Sequence, residues 1–234
     1  MNEVVQNLNV ISRAKNYNQF LYQLLQPYLQ GDVFEIGSGI GNLTIPVLQS
    51  QRITSITCLE PEEDCRNILH QKLIQQPTPF EILPGYFPEQ APNHKKFDVI
   101  FSYNVLEHIQ NDFQAILTSY QLLKPNGILF IYVPACQWIY GPMDAKLCHY
   151  RRYSKQNLRQ KLRQAKFHIL KIRYYNFVGF WGWLITNKIF KNEDPNPKQV
   201  VAYDKYIFPI QNKVEKHLEP PFGQNLVAIA QKII

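Results

Sequence analysis

The stretch "VFEIGSGIGNLT", residues 33–44, places three glycines on alternate positions between an apolar run and a helix-like run. A strand, a glycine turn and a helix in this order are typical of a nucleotide site, because glycine permits a tight turn and a close approach of backbone to ligand. The dinucleotide fingerprint needs a further glycine where Asn42 stands, which argues against a cofactor held by its pyrophosphate. The turn is formed by Gly37, Gly39 and Gly41.

Strands alternate with helices along the rest of the chain. An alternation of this kind predicts right-handed crossovers and a mainly parallel α/β sheet with helices on both faces. Ligands bind such sheets at the carboxyl ends of the strands. The seven predicted strands are "DVFEI", "ITSITCLE", "PFEIL", "FDVIFSY", "ILFIYVP", "FHILKIRYY" and "NLVAIAQKII".

The 234 residues suit one α/β domain over residues 1–234. Residues 1–30 are expected to form an N-terminal cap, with a helix over about residues 12–26 that Pro27 ends. Residues 31–135 are the expected ligand-binding core. An insertion over residues 176–223, rich in aromatic residues and too long for an ordinary connection, is interpreted as a lid or substrate platform.

The composition, 45% hydrophobic and 18% charged residues, is that of a folded globular protein. The four cysteines show neither metal-ligand spacing nor a dense disulfide pattern, and we expect reduced thiols. The start of the chain lacks a signal-peptide pattern, and no apolar run reaches the length of about 18 residues that spans a bilayer. These observations favour a cytoplasmic location.

The formal net charge of +7 is unevenly distributed. Residues 146–173 hold ten lysines and arginines and no acidic residue. A basic run is usually a solvated helix face, but it can also attract an anionic substrate, a membrane or a nucleic acid.

A second feature supports the nucleotide site. Glu60 ends the second predicted strand about twenty residues after the glycine turn. An acid at that place can accept hydrogen bonds from both hydroxyls of a ribose. One acid at a strand end is common, but the two features in this order are much less so.

The stretches "VFEIGSGIGN", "CLEP", "FDVIFSYNVLEHI" and "LKPNGILFIYVP" together resemble the class I S-adenosylmethionine-dependent methyltransferases, which have a Rossmann-like fold. The later "HYRRYSKQNL" and "PPFGQNLVAIAQK" are similar to a bacterial branch that acts on small molecules. The chain departs from many relatives at Tyr86, where they carry an acid for the adenine amine. The resemblance implies that S-adenosylmethionine is bound by Glu35, Gly37, Gly39 and Gly41 at its methionine part, by Glu60 at the ribose, by Pro61 and Glu62 at the adenine, and by Asn104 and Val105 near the sulfonium.

Methyl transfer from a sulfonium requires alignment of nucleophile, methyl and sulfur, and a base where the nucleophile carries a proton. His149, after the fifth strand, is the first candidate base and His108 is the second, although either can be a structural histidine. Some relatives bind a divalent metal with residues placed like Glu107, His108 and His149. A metal is not favoured here, because Asn104 stands where those relatives often have another acid.

Several residues are candidates for the acceptor site. Arg151 or Arg152 can bind a carboxylate or phosphate through two parallel hydrogen bonds, or form a surface ion pair instead. Tyr150 can line the acceptor pocket. Trp181 in "GFWGW" can stack on the acceptor, anchor the insertion or meet a membrane surface.

The sequence therefore predicts a methyltransferase that uses S-adenosylmethionine and acts on an oxygen, hydroxyl or carboxylate, of a small-molecule or peptide-derived acceptor, which can be anionic. One alternative is a nucleic-acid methyltransferase that uses the basic segment 146–173, but "SYNV" after the fourth strand is not the Asn-Pro-Pro-aromatic turn of base-modifying enzymes. Another is a nicotinamide-dependent oxidoreductase, which Asn42 disfavours. A binding module without catalytic activity is a further alternative.

Overall fold

A computed structural model describes residues 3–190 and 197–233. All seven predicted strands are present in one sheet of order β3-β2-β1-β4-β5-β7-β6. Six strands run in one direction, and β7 runs antiparallel to both of its neighbours. The strands are β1 (Gly31–Ile36), β2 (Ile53–Glu60), β3 (Phe80–Pro84), β4 (Phe97–Tyr103), β5 (Leu123–Pro134), β6 (Phe167–Tyr175) and β7 (Asn225–Lys232). The predicted mostly parallel α/β sheet is confirmed.

The helices lie on both faces of the sheet. They are α1 (Glu3–Ser12), α2 (Lys15–Leu25), α3 (Thr44–Leu48), α4 (Glu63–Leu73), α5 (Asp112–Leu122), α6 (Pro142–Lys146), α7 (Lys155–Gln164), α8 (Phe177–Trp183), α9 (Pro197–Ala202) and α10 (Phe208–Glu215). Wider helical turns continue α8 through Leu184–Ile189 and join α9 to α10 through Tyr203–Ile207. Among the described residues, none of these helices has the length and apolar character needed to cross a lipid bilayer.

Two apolar layers hold the helices on the sheet. Leu25 of α2, Val47 of α3 and Phe208 of α10 are buried on one face. Ile116 of α5, Leu162 of α7 and Phe180 of α8 are buried on the other. Because both faces are covered, the central strands consist of nearly continuous apolar residues rather than an alternating pattern.

The switch in strand order positions the site. β1 pairs with β2 on one side and with β4 on the other. The chain crosses from β1 to β2 in one direction and returns from β3 to β4 on the other side of β1, which leaves a crevice at the carboxyl ends of β1 and β4. The glycine turn after β1, Glu60 at the end of β2 and Asn104 after β4 therefore share one edge of the sheet.

The N-terminal region differs from the expected single helix over residues 12–26. The chain forms two helices, α1 and α2, which are separated at Arg13 and Ala14. The predicted stop is close to correct, since α2 ends at Leu25 and Pro27 lies in a short 3-10 turn. Asn111 and Ser154 are the N-caps of α5 and α7, because each side chain accepts a hydrogen bond from the backbone of the helix it precedes.

The insertion between β6 and β7 lies at the same edge of the sheet as the glycine turn. Asn225, the first residue of β7, pairs with both Pro134 and Tyr175, which are the last residues of β5 and β6. The insertion that joins Tyr175 to Asn225 therefore starts and ends at the carboxyl end of β5 and contains α8, α9 and α10. Residues 191–196 of the predicted 176–223 segment lie outside the described residues. Its role as a lid stays a prediction.

Candidate functional site

The glycine turn has the backbone that its sequence predicts. Gly37, Gly39 and Gly41 adopt φ values of 73°, 53° and 82°, in the left-handed region that favours glycine. A Cβ atom at Gly37 would lie 2.5 Å from Cγ2 of Val105, so a side chain has no room at this position. The turn is thus a backbone surface that faces the loop after β4.

Glu60 lies directly beside this turn. Its Oε2 accepts a hydrogen bond of 2.7 Å from the backbone N–H of Gly39, and its Oε1 accepts one of 3.1 Å from Glu62. Burial raises the pKa of this carboxyl, against the lowering effect of the two backbone donors. A carboxylate has about four acceptor positions, so two amides leave room for hydroxyl donors. The turn and Glu60 therefore fit a ribose-bearing cofactor such as S-adenosylmethionine.

Glu35 lies under the turn and is almost completely buried. Its Oε2 accepts a hydrogen bond of 2.5 Å from Thr44 Oγ1, which connects the end of β1 to the start of α3. Burial is the main reason that the pKa of Glu35 rises to about 8. At neutral pH the carboxyl is therefore mostly protonated, and its contacts are with the protein.

The predicted contacts for the adenine and the sulfonium lie at the neighbouring strand ends. Pro61 and Glu62 lead into α4, and Glu62 occupies its N-cap position. Asn104 follows β4 with a left-handed φ of 51°, and Val105 packs against the glycine turn. Tyr86 is exposed, and its backbone N–H binds the side chain of Gln90. These adenine and sulfonium roles stay predictions.

Helix α1 covers the glycine turn, a feature that the sequence analysis did not predict. Leu8 would lie 3.0 Å from a Cβ atom at Gly39, and its carbonyl accepts a hydrogen bond of 3.1 Å from the Asn42 side chain. Val5 is completely buried against Ile40, in the middle of the turn. The apolar residues of α1 were the available signal, but no sequence pattern indicated what they cover.

The three residues considered as metal ligands lie together. Glu107, His108 and His149 each offer one ligand atom, and these atoms lie within 4.8 Å of one another. Glu107 is completely buried, and neither of its carboxyl oxygens has a hydrogen-bond partner among the residues that the structure describes. His149 Nε2 lies 4.0 Å from Glu107 Oε1. Burial raises the pKa of Glu107 to about 8.

Asp144 holds the His149 ring in place. Asp144 is completely buried, and its Oδ1 lies 2.9 Å from His149 Nδ1 and 2.8 Å from Arg152 Nε. Burial alone would raise the pKa of Asp144, but the hydrogen bond with His149 and the charge of Arg152 outweigh it and lower the pKa. An ionised Asp144 places the imidazole proton on Nδ1 and leaves Nε2 as an acceptor. His149 therefore has the geometry of an oriented base or of a metal ligand.

His108, the second candidate base, lies beside the first. The ring centroids of His108 and His149 are 4.6 Å apart, in an edge-to-face arrangement. Partial burial and then the neighbouring imidazole of His149 lower the pKa of His108. His108 is therefore neutral at pH 7, which suits a metal ligand, but it is a weaker base than an ordinary histidine.

The two arginines predicted to bind an anionic acceptor both contact protein groups. Arg151 forms an ion pair of 3.0 Å with Asp112 and donates to the carbonyls of Ile109 and Gln110. Arg152 is buried, binds Asp144 and lies 4.6 Å from the ring of Trp183. Arg152 is thus placed to position the Asp144–His149 pair, and a substrate contact by either arginine stays a prediction.

The predicted aromatic residues of the acceptor site are separated. Tyr150 is exposed next to His149, and its backbone N–H donates to the carbonyl of Glu107. Trp181 is partly exposed on α8 and meets the rings of Phe177, Phe180 and Phe222 edge-on. Tyr150 therefore lies at the histidine cluster, whereas Trp181 belongs to the insertion.

Sequence reasoning missed two polar residues of the cluster. Asp144 stands in "GPMDAK", where it also accepts a hydrogen bond of 3.1 Å from the backbone N–H of Gly141, and this local capping pattern hides its contact with His149. Asn187 of the insertion donates to Asp144 Oδ2 at 3.3 Å. Its partner lies 43 residues away, so no local pattern could indicate the contact.

Comparison with known proteins supports the same class. A profile of the family described as "Methyltransferase domain" matches residues 34–129. The ubiquinone biosynthesis O-methyltransferase of Rickettsia prowazekii (strain Madrid E) is 32% identical over 100 residues, which are 42% of this chain and 38% of that protein. The chain thus matches about two-fifths of the length of this curated relative.

Solved structures share the fold over nearly the whole chain. A S-adenosylmethionine-dependent methyltransferase from Clostridium acetobutylicum superposes with a TM-score of 0.61 at 10% identity, over 94% of this chain and 92% of that chain. A SAM-dependent methyltransferase from Archaeoglobus fulgidus gives 0.59 at 18% identity, over 92% and 94%. At these identities the likeness concerns the fold. Residues 34–129 therefore match a methyltransferase-domain profile, and the chain shares its fold with S-adenosylmethionine-dependent methyltransferases.

Proposed function

We propose that this protein transfers a methyl group from S-adenosylmethionine to an oxygen of a small-molecule or peptide-derived acceptor, with His149 as the base. The observation that carries the proposal is the continuity between the two parts of the site. Val105 packs on the glycine turn, and the turn Leu106–His108 that follows it contacts His149 through Glu107. The base therefore adjoins the place where the cofactor's methyl group is expected.

An oxygen acceptor suits this geometry. The protein holds His149 through Nδ1, and a hydroxyl that loses its proton to Nε2 becomes the nucleophile for an in-line displacement at the methyl carbon. The sulfonium supplies the methyl group and leaves as a neutral thioether. The relative from Rickettsia prowazekii is named an O-methyltransferase, which supports oxygen over other acceptor atoms.

A direct test is a calorimetric titration with S-adenosylhomocysteine and, in parallel, with NAD. Micromolar binding of S-adenosylhomocysteine and none of NAD is the expected result. NAD binding alone would replace the proposal with the oxidoreductase alternative. After the expected result, an acceptor screen begins with phenols and carboxylic acids, with His149→Ala as the variant that keeps cofactor binding and loses turnover.

A metal ion at Glu107, His108 and His149 is a second candidate. The observation in its favour is the buried carboxylate of Glu107, which has no hydrogen-bond partner although two imidazoles lie beside it. Asp144 on the far nitrogen of His149 is a typical outer partner of a metal-bound histidine. One carboxylate and two imidazoles suit Zn²⁺, Mn²⁺ or a similar divalent ion, which would increase the acidity of an acceptor hydroxyl.

Metal binding is measured without reference to activity. Titration of the metal-free protein with Zn²⁺ and Mn²⁺ should give one site per chain, and Glu107→Gln should weaken it at least tenfold. Equal metal affinity of the wild type and Glu107→Gln would remove this candidate. His149 would then retain only the role of base.

A further inference from the structure

The insertion exposes an apolar stripe on its first helix. In α8 and its continuation, three large apolar side chains recur at spacings of three and four residues, which places them on one helix face. The opposite face is packed, since Phe180 is completely buried. The exposed residues are Val178, Trp181 and Ile185, with 39%, 44% and 44% of their surfaces accessible.

A second exposed stripe lies along α10. Phe208 and Glu215 are buried on one side of this helix, so its orientation on the protein is fixed. Four exposed apolar residues recur at spacings of three and four residues, from the turn before α10 to the bend after it. They are Ile207, Ile210, Val214 and Leu218, with 45%, 69%, 52% and 66% of their surfaces accessible.

The two stripes meet at one corner of the insertion. The carboxylate of Glu215 accepts hydrogen bonds of 3.0 Å and 2.8 Å from the backbone N–H groups of Asn176 and Phe177. Val214 precedes Glu215 and Val178 follows Phe177, so the C-terminal end of the α10 stripe adjoins the start of the α8 stripe. Because α8 and α10 pack on opposite faces of the sheet, we restrict the name insertion patch to the α10 stripe of Ile207, Ile210, Val214 and Leu218.

The charges around the insertion patch are mainly positive, and the exposed Glu219 beside Leu218 is paired with Lys155. From Pro197 to Lys216 every exposed charged side chain is a lysine, as at Lys205, Lys213 and Lys216. The two acidic residues in this range, Asp204 and Glu215, are buried and accept hydrogen bonds from backbone amides. An apolar face flanked by lysines is complementary to an anionic lipid surface.

We propose that the insertion patch docks this protein on the surface of an anionic phospholipid membrane. The apolar side chains enter the headgroup region, and the lysines contact lipid phosphates. A symmetric pairing of two copies through the patch would bring lysines near lysines, which disfavours a second copy as the occupant. Tyr206, exposed beside Ile207, adds an amphipathic ring of the kind found at membrane interfaces.

Docking would bring the candidate catalytic cluster close to the membrane. On its inner side the insertion contacts that cluster, through Trp183 at Arg152 and Asn187 at Asp144. Because Glu215 of α10 binds the backbone at the start of α8, the patch and the residues that contact the cluster belong to the same insertion. The proposed docking does not depend on methyl transfer, and its test measures binding alone.

The test is flotation of the whole protein with vesicles of phosphatidylcholine, with and without phosphatidylglycerol. We expect binding to the anionic vesicles, weaker binding at high ionic strength, and at least tenfold weaker binding of the Ile210→Ser/Val214→Ser variant. Ile74→Ser is the matched control, because Ile74 is an equally exposed apolar residue at the end of α4. Lys213→Gln/Lys216→Gln should remove most of the salt dependence.

Three results would overturn the proposal. The first is absence of binding to anionic vesicles at low ionic strength. The second is equal binding by the wild type and by Ile210→Ser/Val214→Ser, with thermal unfolding and circular dichroism showing both folded. The third is a wild-type protein that is a dimer by light scattering and does not bind vesicles, with Ile210→Ser/Val214→Ser a monomer. That result would assign the insertion patch to self-association.

Discussion

At the scale of single residues, Glu60 carries the sharpest prediction about the cofactor. Glu60→Ala removes the carboxylate expected to accept the ribose hydroxyls, and also the acceptor for the Gly39 amide. We expect S-adenosylhomocysteine to bind more weakly by about 1.5–3 kcal/mol, as for lost charged hydrogen bonds. Calorimetric titration measures this, with Glu63→Ala, an exposed acid of α4, as the control. Unchanged affinity would show that the ribose lies elsewhere.

The Asp144–His149 pair separates catalysis from binding. His149→Ala should lower kcat by about 10²–10⁴ and leave the affinity for S-adenosylhomocysteine unchanged. Asp144→Asn should also lower kcat and should change the pH profile, because the imidazole is then free to hold its proton on either nitrogen. If Asp144 had only a structural role, Asp144→Asn would lower the stability of the protein and leave the pH profile of kcat unchanged. His217→Ala is the control, because His217 is an exposed histidine distant in the sequence from His149.

Glu35 makes stability depend on pH with a defined sign. Its pKa is about 8 in the folded protein, against an ordinary value of 4.5. The folded state therefore holds this proton more tightly than the unfolded chain, and stability falls as the pH rises from about 4.5 through 8. Glu35→Gln should remove the part of this fall that Glu35 causes, a gain of about 1–3 kcal/mol at pH 9 relative to the wild type, while Glu107, whose pKa is also about 8, keeps its own part.

Urea unfolding at pH 5, 7 and 9 measures the effect of Glu35→Gln. The exposed Glu89→Gln should parallel the wild type at each pH. The assignment to Glu35 would be contradicted if the free energy of unfolding changed between pH 5 and 9 by the same amount in the wild type, in Glu35→Gln and in Glu89→Gln.

At the scale of helices and strands, the sequence indicated the features that depend on residues close together in the chain. The seven strands and the N-caps Asn111 and Ser154 follow from β-branched runs and from capping side chains that precede their own helices. The glycine turn followed from its spacing, because only glycine tolerates three left-handed residues on alternate positions.

Features that depend on contacts between distant segments could not be predicted from the sequence. The start of α2 is capped by Asp204, which is 187 residues away from Tyr17 and accepts its backbone N–H at 2.8 Å. The start of α8 is capped in the same way by Glu215. Asp144 escaped notice for the same reason, since His149 and Arg152 define its role only after folding.

The cap supplied by Asp204 is testable by unfolding. Asp204→Ala leaves the N–H groups of Asn16 and Tyr17 without their acceptor, and we expect a loss of about 1–2 kcal/mol in the free energy of unfolding. Asp204→Asn should retain part of this stability, because an amide oxygen still accepts. A loss below about 0.5 kcal/mol for Asp204→Ala would mean that water replaces the cap.

At the scale of the whole molecule, the basic charge is largely used within the fold. Six of the ten lysines and arginines in residues 146–173 contact protein groups. They are Lys146, Arg151, Arg152, Lys155, Lys161 and Arg173. In the described structure this segment therefore does not form a continuous phosphate-binding surface. The nucleic-acid alternative loses its main support.

The corresponding prediction concerns binding of RNA. Phosphate contacts release counterions, so affinity for RNA should fall steeply with salt, and at physiological salt the dissociation constant should be no tighter than about 1 µM. Arg159 and Arg163 lie exposed on α7, and Arg159→Gln/Arg163→Gln should reduce the salt slope by about two. Fluorescence titration at two or more salt concentrations measures both quantities. Tight binding of RNA that persists at high salt, together with methyl transfer to the RNA, would instead assign the site to nucleic acid. Binding through phosphate charges alone weakens steeply as the salt concentration rises, so it could not account for that result.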